Sequence, residues 1–104
     1  MSVKYEIIDD EAGPALILKE QLTFADRDLF DGLIDKLLAR GKRRVVVDLA
    51  GLEYMDSAGL GMLLTLRDRA ERASADVLIR NPQSEVRELL VLACFDSLFT
   101  IELA

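Results

Sequence analysis

Val-Val-Val-Asp-Leu-Ala-Gly-Leu-Glu-Tyr-Met-Asp-Ser-Ala-Gly-Leu-Gly, residues 45–61, is the stretch that decides the fold. It opens with three valines, and together with Leu49 they are typical of a strand buried on both faces, as when helices cover a sheet. It closes with Asp56-Ser57-Ala58-Gly59-Leu60-Gly61, which begins a second helix after a short turn. A buried strand that leads into a helix favours an α/β architecture.

Before this stretch, the pattern predicts a hairpin and then an amphipathic helix. Val3, Tyr5 and Ile7 alternate with charged residues, and turn residues at 9–14 separate them from an apolar run at 15–18. Apolar residues then recur at helical spacing, at positions 29, 30, 33, 34, 37 and 38, with Asp26, Arg27, Asp31, Asp35 and Lys36 on the other side. Thr23 is expected to cap this helix with Asp26 reaching back, and Gly41 to end it.

After this stretch, the alternation of helix and strand continues. The second helix is expected to place Gly59, Leu63, Leu66, Ala70 and Ala73 on one stripe. A short strand follows at 77–79, and Asn81-Pro82 is expected to open a third helix whose apolar face is Val86, Leu89, Leu90 and Ala93. Phe99, Ile101 and Leu103 predict a closing strand. The whole order predicts one α/β domain over residues 1–104, a mixed β-sheet with helices packed on it.

Composition removes several classes of function. The 104 residues carry a net charge of −6, which disfavours nucleic acid and anionic lipid as partners, and the basic run at 40–44 is expected to solvate a helix end. No segment predicts a membrane span or a signal peptide, so the expected location is the cytoplasm without membrane insertion. Without histidine, and with Cys94 expected in the core, no catalytic dyad or zinc site is predicted.

The start of the second helix is locally unusual, because Gly59 and Gly61 each cost about 1 kcal/mol of helix propensity relative to alanine. In one interpretation the glycines allow close packing and Asp56 or Ser57 caps the helix. In the other, small residues keep this end flat, so that another protein reaches Ser57. Phosphate on Ser57 would add negative charge at a helix N-terminus and break a docked interface without unfolding the domain.

Met62 has two interpretations of equal weight. It lies off the stripe of Leu63 and Leu66, so it either belongs to an exposed apolar patch beside Ser57 or fills the core against a neighbouring helix.

Tyr-Met-Asp-Ser-Ala-Gly-Leu-Gly, residues 54–61, resembles the hallmark of STAS domains, especially bacterial anti-sigma factor antagonists. The resemblance extends over nearly the whole chain and implies the STAS fold. In that family the serine directly after the aspartate is phosphorylated, which is Ser57 here. The unphosphorylated protein binds an anti-sigma factor, often a serine kinase with a histidine-kinase-like ATP site, and thereby frees the sigma factor. A serine/threonine phosphatase of the metal-dependent class restores the binding form.

The resemblance implies a partner-binding surface around the phosphoacceptor. Its residues are expected to be Thr23, Asp56, Ala58, Gly59, Leu60, Gly61 and Met62. The chain departs from the family pattern at Ala58, where a second hydroxyl is usual. It also reads Lys-Glu-Gln-Leu-Thr at 19–23, where a Gly-Glu-Leu-Asp-like stretch is common. It stops at Ala104 without the closing helix of many members, so homodimerisation is a possible consequence.

Two other functions stay open at this stage. STAS domains also serve as small subunits of ABC-type phospholipid transport machinery, and there Ser57 would contact the ATPase. An enzyme using Asp48, Asp56 and Ser57 is disfavoured, because these residues offer few ligands and no strong general base. No cofactor is implied, since the two glycines at 59 and 61 complete no nucleotide-binding motif.

Overall fold

The chain folds into a five-stranded mixed sheet with three α-helices, in a computed structural model that describes residues 3–103. The strands are β1 (Lys4–Asp10), β2 (Gly13–Leu22), β3 (Arg44–Met55), β4 (Asp76–Arg80) and β5 (Thr100–Glu102). The helices are α1 (Arg27–Leu38), α2 (Ser57–Arg72) and α3 (Ser84–Leu92). The strands lie side by side in sequence order, β1 antiparallel to β2 and all later neighbours parallel. The predicted α/β class and mixed sheet are confirmed.

All three helices pack on one face of the sheet. Alternate residues of the central strands, such as Leu16 on β2 and Val47 on β3, share one buried cluster with Phe30 of α1, Leu63 of α2 and Leu90 of α3. Burial of these side chains supplies the main driving force for folding, since each contributes about 1.5–3 kcal/mol. Helix α2, including its amino-terminal end, therefore packs on the parallel strands of the sheet.

The other face of the sheet has a smaller apolar cluster, and none of the helices formed by residues 3–103 packs on it. Ala15, Val46 and Leu78 are buried there, with Ala12 of the hairpin turn packed against them. Arg80 extends across this face, with Nε 3.1 Å from Asp48 Oδ2 and Nη1 3.2 Å from Asp10 Oδ2. The predicted burial of β3 on both faces is confirmed, but a hairpin turn and an arginine cover the second face where helices were expected.

Strands β2 and β3 extend farther than the apolar runs that predict them. Their parallel pairing continues to Leu22 beside Met55, with irregularities on either side of Lys19 and Glu20 and a left-handed φ of 71° at Glu20. The stretch at 19–23 that departs from the family pattern is therefore mostly strand. Because both strands end at the same edge, Thr23 and Asp56 follow them side by side.

Helix α1 begins through a short 3₁₀ turn at Phe24–Asp26, and Asp26 anchors it. As predicted, the Asp26 carboxylate accepts a hydrogen bond from the backbone N–H of Thr23, at 3.0 Å. Its other oxygen accepts from the N–H of Val3, at 2.8 Å. The assignment of Asp26 to the polar side of the helix is wrong, because it is 1% exposed and holds two backbone donors.

Helix α3 begins later than predicted. Asn81 adopts a left-handed conformation, with φ of 57°, and its N–H donates to the carbonyl of Glu102 at 2.7 Å. Asn81 thus extends the β4–β5 pairing, and the helix begins at Ser84 with Gln83 as its N-cap residue.

Two expectations about burial are wrong. Cys94 is exposed, because α3 has already ended and Cys94 takes a left-handed φ of 59° that redirects the chain. Ala73 is also exposed, because α2 ends at Arg72 and its buried stripe ends at Ala70. Among the described residues, no helix is long and apolar enough to cross a bilayer.

The Arg80 interactions predict acid-sensitive stability. The backbone N–H of Ala12 and the Arg80 guanidinium hold the pKa of Asp10 below its ordinary value of 3.8. A lowered pKa in the folded state stabilises the fold above that ordinary value, and this stabilisation is lost as the pH falls through the folded-state pKa. We therefore expect Arg80→Gln to lower the melting temperature at pH 7 and to flatten its decline below pH 4, measured by circular dichroism.

The matched control is Arg72→Gln, which removes an exposed Arg72–Asp68 pair at the end of α2. Exposed pairs contribute little, so its melting curve should follow that of the wild type at every pH. Equal effects of the two substitutions would contradict the role assigned to Arg80.

The amino-terminal end of helix α2

Asp56 is the structural centre of the candidate site. It is the N-cap residue of α2, with extended backbone, and its Oδ1 accepts the N–H of Gly59 at 2.9 Å. Its Oδ2 accepts the N–H of Phe24 at 3.1 Å, and its own N–H donates to the carbonyl of Leu22 at 3.3 Å. One side chain therefore caps α2 and ties it to the segment between β2 and α1.

The two glycines of the motif have different surroundings. Gly59 is buried, and a Cβ there would lie 2.4 Å from Met55 Cγ and 3.0 Å from the carbonyl oxygen of Leu22. Gly61 is exposed, and a Cβ there would meet nothing within 4 Å. Close packing therefore explains Gly59, whereas Gly61 leaves a flat, open surface.

Ser57 is the first residue of α2 and is exposed to solvent, with Ala58 half-buried beside it. The first N–H groups of a helix lack partners within the helix, and the helix dipole favours negative charge there. The Ser57 hydroxyl is thus open to another protein, at a position where a phosphate would meet favourable backbone charge.

Other residues named from the motif face inward. Met62 is 5% exposed and belongs to the core, three residues after Gly59 and four before Leu66 on the same stripe. Of the two interpretations of Met62, the exposed patch is therefore wrong and the core position is correct. Leu60 is partly buried against the same core, so it too presents only part of its side chain.

An exposed aromatic residue beside the site was missed by the sequence analysis. Phe24 is 61% exposed, and the guanidinium carbon of Arg27 lies 4.7 Å from the centre of its ring. Its backbone is held by Asp56, next to Ser57 and near Thr23, which is half-buried. An available signal was its position outside the apolar stripe of α1, which left it without an expected place in the core.

A surface groove of about 680 Å³ runs between the first halves of α1 and α2. One wall has Phe24 of the 3₁₀ turn with Arg27 and acidic residues of α1, and the α2 wall has Met62 among smaller residues. The full lining is Phe24, Arg27, Asp28, Asp31, Ala58, Gly61, Met62 and Thr65. Such a groove offers apolar contact with charges of both signs, which suits recognition of a protein surface.

The carboxylates at and near the site bind groups of the protein itself. Across the described residues, no group of three or more Cys, Asp or Glu side chains is placed to bind a metal ion. Asp56 uses both carboxylate oxygens on backbone N–H groups, and Asp48 lies on β3 in contact with Arg80. Both carboxylates are therefore engaged in contacts within the fold.

Comparisons with known proteins point to one family. A family model described as "Mlab, STAS domain" matches residues 8–101. A STAS-domain containing protein of Pseudomonas aeruginosa is 48% identical over 59 residues, and BtrV of Bordetella bronchiseptica, whose name describes an anti-sigma factor antagonist, is 32% identical over 62 residues. These alignments cover 57% and 60% of this chain, and 58% and 53% of the two relatives, which is a little over half of each relative's length.

A solved structure shares the fold over almost the whole chain. It is an anti-sigma factor antagonist from Mycobacterium paratuberculosis, with a TM-score of 0.79 and 18% sequence identity. The superposition covers 96% of this chain and 85% of that protein. At this identity the likeness establishes the fold.

The contrast between the glycines predicts opposite effects on stability. Gly59→Ala should lower the free energy of unfolding by about 1–3 kcal/mol, because its methyl group collides with Met55 and a backbone carbonyl. Gly61→Ala should raise it by up to about 1 kcal/mol, because alanine favours the helix and meets no neighbour. Urea unfolding of both variants measures the difference, and equal effects would contradict this assignment.

The two hydrogen bonds of Asp56 predict a graded loss. Asp56→Ala should lower the free energy of unfolding by about 1–2 kcal/mol, as for other lost N-caps. Asp56→Asn keeps one carbonyl oxygen as an acceptor, so it should fall between the alanine variant and the wild type. Chemical denaturation ranks the three proteins, and hydrogen exchange at the Phe24 amide should be faster in both variants.

Proposed function

The chain belongs to the STAS family, and from this membership and the geometry at the start of α2 we propose that it is a phosphorylation-controlled partner-switching protein of the anti-sigma factor antagonist type. The observation that carries the proposal is the exposed Ser57 hydroxyl at the first position of α2, directly after the capping carboxylate of Asp56. Ser57 is the proposed phosphoacceptor.

The unphosphorylated protein is proposed to bind an anti-sigma factor that is a serine kinase with a histidine-kinase-like ATP site. Its contact surface would combine the exposed part of α2 around Ser57, Ala58 and Gly61 with Phe24 on the opposite wall of the groove. An aromatic side chain held rigidly through its backbone is a good anchor, because little conformational freedom is lost on binding. Cytoplasmic regulation of transcription without a cofactor follows from this role.

Phosphorylation would act at the interface and leave the fold unchanged. A phosphoserine adds about −1.5 to −2 charges, placed here directly after Asp56 and at the start of α2, across the groove from Asp28 and Asp31 of α1. The N–H groups of α2 tolerate that charge, whereas a partner fitted to a serine meets new bulk and repulsion. A serine/threonine phosphatase of the metal-dependent class would restore binding.

A STAS subunit that docks on the ATPase of an ABC-type phospholipid transporter would use the same exposed end of α2. Ser57 would then be a contact residue without a phosphate. The two functions differ in whether Ser57 becomes phosphorylated in cells. An experiment that detects this phosphate therefore distinguishes them.

The first test is intact-mass analysis with peptide mapping of the protein isolated from its native cells, beside a Ser57→Ala strain. We expect a phosphate on Ser57 under some growth or stress condition and none in the variant. The same protein, purified with a tag, should bring down a kinase-type anti-sigma factor when unphosphorylated. Absence of phosphate under every condition, together with capture of a transporter ATPase, would overturn the proposal.

Ser57→Asp tests the mechanism. It should leave the free energy of unfolding within about 0.5 kcal/mol of the wild type, since Ser57 is exposed, and weaken binding of the captured anti-sigma factor at least about tenfold. Ser74→Asp is the matched control, because it places the same charge just beyond the far end of α2. Binding that is unchanged by Ser57→Asp, or equally weakened by both variants, would count against the switch.

A further inference from the structure

Among the described residues that line the groove between α1 and α2, Arg27 is the one basic side chain. Its guanidinium carbon lies 4.7 Å from the centre of the exposed Phe24 ring, in a cation–π contact. Within residues 3–103, no ion pair includes Arg27. Because the face of a ring occupies none of the five N–H donors of a guanidinium, these donors are available to an anion.

The path of the chain brings Arg27 and Ser57 to the same end of this groove. Helices α1 and α2 each connect two parallel strands, so both begin at the edge where β2 and β3 end and both run in the same direction. Arg27 is the first residue of α1, and Ser57 is the first residue of α2. The hydrogen bond from the Phe24 N–H to Asp56 Oδ2, at 3.1 Å, ties these two helix starts together.

The direction of the Arg27 side chain and the open space on α2 both favour a contact across the groove. The guanidinium reaches back over Phe24, three residues earlier, which is the direction that long side chains favour on a helix. On the facing wall, Ser57 and Gly61 are neighbours on the surface of α2, because they lie four residues apart. A Cβ at Gly61 would meet nothing within 4 Å, so the space beside Ser57 is open to a long side chain.

We propose that Arg27 is the receptor for the phosphate on Ser57, and that phosphorylation moves its guanidinium from the Phe24 ring to the phosphate oxygens. This inference rests on the proposed phosphorylation of Ser57. A guanidinium binds two phosphate oxygens side by side, and such charge-assisted hydrogen bonds are stronger than a cation–π contact at an exposed site. One positive charge offsets only part of the about −1.5 to −2 charges of a phosphoserine, so the site still becomes more negative.

This exchange would change two features of the surface at once. Ser57 gains a phosphate, and the ring of Phe24 loses the guanidinium that lies over one of its faces. A partner that fits Phe24 and Arg27 together would therefore lose its match on both walls of the groove. Arg27 is thus a positioning residue, which transmits the effect of a phosphate on α2 to the aromatic side chain before α1.

The test is a phosphorus NMR titration of the protein made with phosphoserine placed at position 57 during synthesis, so its outcome does not depend on phosphorylation in cells. A guanidinium nearby favours the doubly charged phosphate and lowers the pH at the midpoint of its titration. Arg27→Gln should therefore raise this midpoint by about 0.5 pH unit or more. Lys36→Gln is the matched control, because it removes a positive charge from an exposed position in the last turn of the same helix, and it should leave the midpoint unchanged.

The ring signals of Phe24 test the movement of the guanidinium. Proton–carbon NMR should show that phosphoserine at position 57 shifts these signals, and that Arg27→Gln reduces the shift at least about twofold. Circular dichroism checks that each variant is folded. A midpoint that Arg27→Gln leaves as unchanged as Lys36→Gln does, or ring signals that shift equally with and without Arg27, would overturn the proposal.

These outcomes are distinct from those that test the switch itself. Loss of the Arg27 effect would leave the proposed phosphorylation of Ser57 standing, since the phosphate in this titration is supplied during synthesis. Absence of phosphate on Ser57 in native cells would overturn the switch without changing the titration.

Discussion

The carboxylate of Asp56 holds together the two chain segments on which the site depends. One oxygen accepts a hydrogen bond from the first turn of α2, and the other accepts from Phe24 before α1. These segments are far apart in sequence and meet only because β2 and β3 run parallel and end at the same edge. Charge-assisted hydrogen bonds of this kind are stronger than neutral ones, so the helix start and the Phe24 loop form one rigid unit.

Asp26 joins two chain segments in the same way, on the other side of Phe24. Its buried carboxylate joins Val3 to Thr23, and Thr23 is followed directly by the residue that Asp56 holds. The two aspartates therefore fix both sides of the Phe24 segment through backbone donors. Because both carboxylates bind backbone N–H groups, the exposed side chains of Phe24 and Ser57 take no part in these hydrogen bonds. In the proposed function, stability and recognition would therefore use different atoms of the same short segments.

Much of the fold follows from periodicity, because burial on a sheet or a helix imposes a pattern on apolar residues. The valines at 45–47 and the stripe through Leu63 and Leu66 predicted β3 and α2, and Asp56 was identified as a candidate cap. Contacts between distant segments leave no such pattern. Nothing in the local sequence pairs Asp56 with Phe24, lays Arg80 across the open face of the sheet, or ends α3 before Cys94. Met62 shows the same limit, since a helical position alone does not tell which neighbour covers it.

The rigidity of the site explains how one phosphate could regulate binding in so small a protein. A flexible segment could accommodate a phosphate by moving and so blunt its effect on a partner. Here the N-cap of α2 is tied to the β2–α1 segment, and Gly59 packs against Met55 and the carbonyl of Leu22. The backbone around Ser57 is therefore held in place and does not move to accommodate the added group. The full bulk and charge of the phosphate would therefore be presented to the partner. Phosphorylation would change the free energy of binding while the fold changes little.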